Sequence, residues 1–270
     1  MLICPVCKSP LLEQQTTYQC SANHSFDKSR TGYINLLLAN MKNSKQPGDN
    51  KQMVQSRATF LNKGHYAPIS QLLNTHIQNN SATPIIDIGC GNGYYLKNLK
   101  NHLAQPENHY FGVDISKEAI HLAAKEEKDI TWIVSSIAQL PCQSHSTQAI
   151  ISIFSPQNYP EFQRVLADNG YLYMIAPAEN HLYELRERLF ADIKNIANDR
   201  FLEESRAHFT VKNSIPLQYT IHLSSNEEIS SLFSMTPYYW RCTAEKRTEI
   251  LSLEYLSLTI HVLLWIFKKA

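Results

Sequence analysis

Short apolar runs alternate with amphipathic stretches along the middle of the chain, and the alternation is regular from Pro84 to Pro177. Ile85–Ile88, Tyr110–Asp114, Ile130–Val134, Ala149–Phe154 and Tyr171–Ile175 are runs rich in β-branched and aromatic residues, the pattern of strands buried on both faces. Between them Tyr94–Leu103, Ser116–Glu127 and Pro160–Leu166 carry apolar residues at helical spacing. Strands and helices in strict turn predict an α/β fold, a mostly parallel sheet with helices on both faces. After Ser214 the pattern changes: Ile215–Leu223 and Leu256–Phe267 predict two more strands, a pair able to close the sheet antiparallel. Upstream, Met53–Leu61 and Ile69–Ile77 predict helices separated by Gly64-His65-Tyr66, with Pro68 opening the second. Asn40 to Gln55 is polar and punctuated by Pro47-Gly48, a loop in which Lys42, Lys45 and Lys51 lie near one another and can contact phosphate.

The first strand of the regular region runs straight into Asp87-Ile-Gly-Cys-Gly-Asn-Gly93. Alternating glycines between a strand and a helix let a ligand approach bare backbone at the helix N-terminus. Four of the eight glycines (Gly89, Gly91, Gly93 and Gly112) lie in this turn or the next strand, which concentrates them on one site. A dinucleotide turn would carry G-x-G-x-x-G, but Tyr94 stands where its third glycine would fall. Asp87 would repel a pyrophosphate and suits a cationic ligand such as S-adenosylmethionine. Asp114 ends the second strand, where an acid commonly binds ribose hydroxyls. The two acidic strand ends look like those of a class I methyltransferase. Tyr66, at the start of a helix beside the first strand, is placed either for cofactor contact or as a half-buried aromatic. Ser155-Pro-Gln-Asn158 ends the fourth strand, which faces the transferring methyl group in that architecture.

Composition alters this picture mainly at the N-terminus. The chain has 270 residues, enough for one large domain or a domain and a small module. Its net charge is +1, yet residues 1–66 hold eight Lys or Arg against three Asp or Glu, which places any affinity for a polyanion there. The first residues show neither a basic segment nor a long apolar run, so no secretory leader is expected, and the longest apolar run, Val262–Phe267, is too short to span a bilayer. A soluble cytoplasmic protein is expected, with its six cysteines as thiols or metal ligands. Cys4, Cys7, Cys20 and His24 follow C-x2-C-x12-C-x3-H, the donor set and pairing of a closed tetrahedral Zn²⁺ site. Some 40 residues cannot bury enough surface alone, so the metal is expected to supply the folding energy. Cys142 and Cys242 read as buried residues without chemistry. Tyr238-Tyr239-Trp240 offers three rings, for stacking a base or for anchoring a loop.

Taken in order, the zinc ligands, Gly32-Tyr33-Ile-Asn-Leu36, Pro47-Gly48-Asp49, Gly64-His65-Tyr66 and the glycine turn closely resemble the RlmA-type large-subunit rRNA guanine-N1 methyltransferases. Pro177, His181-Leu182, Glu184-Leu185 and Met235–Arg241 continue the resemblance. It implies a seven-stranded, mostly parallel sheet with an antiparallel end strand, and transfer of a methyl group from S-adenosylmethionine to N1 of a guanosine in a 23S rRNA hairpin. It also implies that residues 1–40 are a zinc-binding RNA-recognition module, 41–66 a linker and leading helix, and 67–270 the methyltransferase domain. The partner is then 23S rRNA or its precursor particle, with no membrane, and a homodimer is allowed for. Carried over position by position, Cys4, Cys7, Cys20 and His24 are the zinc ligands; Tyr66, Gly91, Asn92 and His181 contact cofactor, beside Asp87, Gly89, Gly93 and Asp114. Relatives often carry Glu where this chain has Asn92, so a contact there falls to its amide or backbone. Guanine N1 must lose a proton on methylation, and the strand order makes Glu161 the nearest candidate base. A small-molecule methyltransferase and a non-catalytic RNA-binding protein are the alternatives; the basic zinc module speaks against the first, and the intact glycine turn and acids against the second.

Overall fold

Two tight turns and a three-stranded antiparallel ribbon begin the chain: β1 (Leu11–Glu13), β2 (Thr17–Cys20) and β3 (Ser25–Asp27). A two-residue strand, β4 (Ile34–Asn35), follows. The computed structural model describes residues 1–42, 47–78, 83–105, 107–193 and 199–270. Lys45, one of the three lysines expected together in the polar loop, lies outside them.

Helix α1 (Lys51–Asn62) is capped by Asn50, whose side chain accepts from the Met53 amide at 3.0 Å, and it buries Val54, Ala58, Phe60 and Leu61. Gly64 ends that run at φ +82°, a left-handed value that glycine takes without penalty, and α2 (Ala67–Gln78) begins three residues later. The regular region then gives β5 (Ile85–Ile88), α3 (Tyr94–Leu103), β6 (Tyr110–Asp114), α4 (Lys117–Glu126), β7 (Thr131–Val134), β8 (Thr147–Ile153), α5 (Tyr159–Val165) and β9 (Leu166–Pro177). The C-terminal third adds α6 (Tyr183–Leu189), α7 (Asp199–Arg206), β10 (Phe209–Leu223), α8 (Asn226–Ser234), α9 (Tyr238–Arg241), α10 (Ala244–Leu251) and β11 (Leu256–Lys269). No helix among the described residues is long and apolar enough to cross a membrane.

The main sheet runs β10-β11-β9-β8-β5-β6-β7-β4. Strands β4 to β9 pair in parallel, and β11 lies antiparallel to both β9 and β10. Two details differ from the seven strands and antiparallel end strand expected. Among the described residues the sheet has eight strands, because β4 leaves the N-terminal module and pairs with β7 (Ile34 beside Ile133, Asn35 beside Val134). Two residues carry no periodicity by which to recognise a strand. The antiparallel strand is also one in from the edge: β11 buries alternate residues between two neighbours, whereas β10 is largely exposed on its outer half. Strand order reverses at β5: the chain runs from β5 to β6 and β7 on one side and then crosses to β8 on the other, and this switch point opens a crevice at the carboxyl ends of the strands.

The two faces of the sheet are covered by different material. Ile85, Trp132, Ile151, Tyr173 and Ile175 look towards α1, α2, α3, α4, α6, α8 and α10. Alternate residues Ile86, Ile88, Val113, Ile133 and Met174 form the other core, with α5 and with Leu2, Cys4, Leu11, Tyr18, Cys20, Ile34 and Leu36. The ribbon therefore packs where a further layer would otherwise be needed. Its backbone joins in too, since Ile3 N donates to Pro141 O at 2.9 Å and Gln143 N to Met1 O at 2.8 Å. Cys142, at the centre of this contact, is fully buried, which pushes its thiol up to about 12.

Candidate active site

The four predicted zinc ligands come together. Their donor atoms all lie within 4.8 Å of one another, with Cys4 Sγ to His24 Nδ1 at 3.6 Å, Cys7 Sγ to Cys20 Sγ at 3.5 Å and Cys20 Sγ to His24 Nδ1 at 3.4 Å. Zinc–sulfur bonds of about 2.3 Å give tetrahedron edges of about 3.8 Å, close to these separations. Each ligand pair closes on a turn with one left-handed residue, Lys8 at φ +63° and Asn23 at φ +62°. The Lys8 amide returns to Cys4 O and the Asn23 amide to Cys20 O, both at 2.9 Å. Backbone and side-chain hydrogen bonding from Ser9 lowers the Cys7 thiol to about 6. Three soft sulfurs and an imidazole at this spacing fit Zn²⁺ and leave no open coordination position, the arrangement of a structural metal.

At the switch point, β5 hands over to α3 through Gly89, Gly91 and Gly93, at φ +74°, +55° and +76°. Two of these glycines also answer close approaches. A Cβ at Gly89 would overlap Ser155, which lets the end of β8 close onto the turn, and one at Gly93 would overlap the Trp132 ring. The turn is pinned from β6: Gly89 N donates to Val113 O at 2.8 Å, and Gly91 N to Asp114 Oδ2 at 2.8 Å. Asp114 Oδ1 accepts from Ser116 N at 2.8 Å. Both Asp114 oxygens are thereby aimed, and each keeps a lone pair for a ligand.

Above the turn lies a cavity of about 750 Å³, within the usual range for small-molecule sites. Of the predicted cofactor residues, Tyr66, Asp87, Gly89, Gly91, Asn92, Asp114 and His181 line it. Gly93 does not; it supports the turn from behind, against Trp132. Asp87 is 2 % exposed, and its Oδ2 has no hydrogen-bond partner among the described residues. Burial, and then the charge of Asp114, push its carboxyl up to about 8. A buried carboxylate oxygen facing a cavity and lacking a partner calls for a cationic or donating ligand. His181 is held neutral: burial first, then the charges of Arg186 and His261, bring it down to about 3. Its Nδ1 accepts from the His261 amide at 3.4 Å. Tyr66 is set in place by its neighbours, because His65 bonds Glu228 at 3.2 Å and Tyr219 Oη donates to His65 O at 2.9 Å.

Glu161 is not at the cavity. Arg164 clasps its carboxylate, Nε to Oε1 at 2.7 Å and Nη2 to Oε2 at 2.9 Å, and Oε2 also accepts from Leu140 N at 2.7 Å. It braces α5 against the 140–142 segment, so, contrary to expectation, Glu161 is not placed to act as a base in the cavity. Strand order located the correct strand end, but the helix that follows turns its first-turn acid away from the crevice. Arg57, Asp49 and Phe154 line the cavity without having been singled out from the sequence as contacts. Arg57 and Asp49 pair at 2.8 Å, and Asp49 O accepts from Ser116 Oγ at 2.6 Å, which ties α1 to the start of α4. Asp49 was visible only as the end of Pro47-Gly48-Asp49, while Arg57 and Phe154 sat inside helical and strand patterns that explained them without a ligand.

The eight-stranded sheet with its reversal at β5, the glycine turn and the two acidic strand ends define a class I, S-adenosylmethionine-dependent methyltransferase. Residues 79–228 match the family described as a methyltransferase domain, and residues 2–45 match that described as RlmA, N-terminal, a zinc ribbon. The chain belongs to this methyltransferase family and carries the RlmA-type ribbon ahead of it. A Streptomyces fradiae protein named 23S rRNA (guanine(748)-N(1))-methyltransferase is 29% identical over 245 residues, 88% of this chain and 85% of that one. A Bacillus subtilis (strain 168) protein, named "Putative 23S rRNA (guanine-N(1)-)-methyltransferase YxjB", is 29% identical over 272 residues, 97% of this chain and 95% of that one. Among solved structures, the PH0226 protein of Pyrococcus horikoshii OT3 shares the fold at a TM-score of 0.50 and 15% identity, over 76% of this chain and 91% of that one.

Proposed function

We propose that this protein is a 23S rRNA (guanine-N1)-methyltransferase using S-adenosylmethionine as donor. The observation that carries the reading is the RlmA-type zinc ribbon joined by backbone and core to a sheet whose switch point holds a cavity with a buried acid, Asp87, whose Oδ2 has no partner among the described residues. Relatives that span nearly the whole chain bear 23S rRNA guanine-N1 names.

When bound, S-adenosylmethionine supplies an electrophilic methyl group on a cationic sulfur. Asp87 would compensate positive charge on the ligand, Asp114 would receive ribose hydroxyls, and Gly89, Gly91 and Asn92 would present backbone. Tyr66 and His181 would close the site on its far side, and Gly93 would hold the turn in shape. Binding both reactants in one cavity supplies the alignment on which such a displacement depends. The target guanine must arrive unpaired, since N1 is occupied in Watson–Crick pairing. Residues 1–40 would serve rRNA recognition, with 41–66 as linker and 67–270 as the catalytic unit, acting in the cytoplasm on 23S rRNA or its precursor particle.

The test is transfer of tritiated methyl to rRNA isolated from a strain lacking the gene, followed by primer extension. Label in 23S rRNA with a new stop at one guanosine is expected. Label confined to small molecules, or none in any fraction, would refute the reading.

A further inference from the structure

Phe154 is the one large exposed apolar residue, among those described, that lines the cavity. It is 37 % exposed, although Ile153 just before it and Ile175 on the neighbouring strand are buried. Its backbone is also unusual, with φ at +52°. A bulky side chain in the left-handed region is strained, and strain of this kind is kept where the surroundings impose it and function uses it. The turn aims the ring out of the sheet core and into the crevice.

The ring is rigidly held. Tyr66 flanks it at 6.1 Å between centroids and His181 at 5.6 Å, tilted by 43° and 31°, and both neighbours are buried. Phe154 N donates to Ile175 O at 3.0 Å. The next residue is pinned as well: Ser155 Oγ donates to Ile88 O at 2.9 Å, and Gln157 Nε2 to Ser155 O at 2.7 Å. Binding on this surface therefore costs little ordering of the protein. The exposed surface is planar and uncharged, and the flanking imidazole is neutral. Such a surface fits the face of an unpaired base, for which stacking on an aromatic ring is the common mode of recognition.

We infer that the Phe154 ring is the platform on which the target guanine stacks while its N1 faces the donor site. The inference rests on the proposed function and specifies where in the cavity the acceptor lies. It is tested with Phe154→Ala, Phe154→Gly and Phe154→Trp, zinc-loaded, on unmodified 23S rRNA and with S-adenosylmethionine binding measured separately by calorimetry. For the alanine and glycine variants kcat/KM for rRNA should fall about 10- to 100-fold, with donor Kd within twofold of wild type. The tryptophan variant should keep kcat/KM within about threefold. Glycine removes the backbone strain, so an unchanged or raised Tm for Phe154→Gly beside lost methylation separates a platform from a folding role. Wild-type kcat/KM in Phe154→Ala, or donor affinity lost in parallel with activity, would overturn the platform. If the wild-type protein labels no rRNA, the proposed function fails first and the platform with it.

Discussion

Asp87 is the residue whose chemistry depends most on what the cavity holds. Its folded-state pKa of about 8 lies above the ordinary carboxylate value near 4. The native chain then keeps a proton that the unfolded chain has released, so this group's contribution to stability is complete below about pH 4 and is lost as pH rises to about 8. Asp87→Asn should abolish that part of the slope in pH-dependent urea melts. A cationic ligand favours the ionised form, so donor affinity should strengthen from pH 6 to 8.5 with proton release. In the asparagine variant the pH dependence should disappear, with binding at least about tenfold weaker at the upper end, as loss of a buried charge partner entails. Gly93 makes the second prediction at this scale. Trp132 is buried and its indole nitrogen donates to Glu127 O at 2.9 Å, so the ring cannot retreat from an added methyl. Gly93→Ala combines that overlap with a left-handed alanine, a cost of about 3 kcal/mol. Tm should fall by about 6 °C or more.

Among the elements, the ribbon is the one whose stability is borrowed from a metal and from its neighbours. Strands of three or four residues form no lasting sheet alone. Cys20 is both a donor in the four-residue cluster and part of the core shared with the main sheet. A structural zinc contributes about 10–16 kcal/mol in small modules; losing even about 5 kcal/mol lowers Tm by about 10 °C or more. Cys20→Ser should show that loss in a thermal melt together with bound zinc well below one per chain. Cys242→Ser, at a half-buried cysteine outside the cluster, should show neither. Strand β11 illustrates a different dependence. Its 14 residues alternate in burial as an inner strand must, and only pairing with β10 makes it inner.

For the whole molecule, one consequence follows from the ribbon sharing the second face of the sheet. Zinc removal should loosen the methyltransferase domain itself: amide exchange at β5, β6 and β8 should accelerate on chelation, in step with residues 1–36. Exchange confined to the ribbon would instead mark an independent module. Much of this architecture was legible in the amino-acid pattern. Continuous apolar runs against helical spacing showed the parallel sheet, and soft donors in two short-spaced pairs showed the metal cluster, because each signal is local in the chain. Asp87, the three glycines and Asp114 were legible for the same reason, lying where strands of recognisable length end. What escaped was contact between distant segments. Two residues of β4 have no period, Arg57 and Phe154 fit the elements that contain them, and although Arg164 stands one helical turn from Glu161, nothing local shows that the pair faces Leu140 and Cys142 rather than the crevice. The elements, the donor set and the acids at the strand ends depend on neighbours along the chain and were written there. Which face the ribbon covers, the lack of a partner for Asp87 Oδ2 among the described residues, and the meeting of Phe154 with Tyr66 and His181 arise from folding, because burial and pairing belong to residues that are close in space and far apart in sequence.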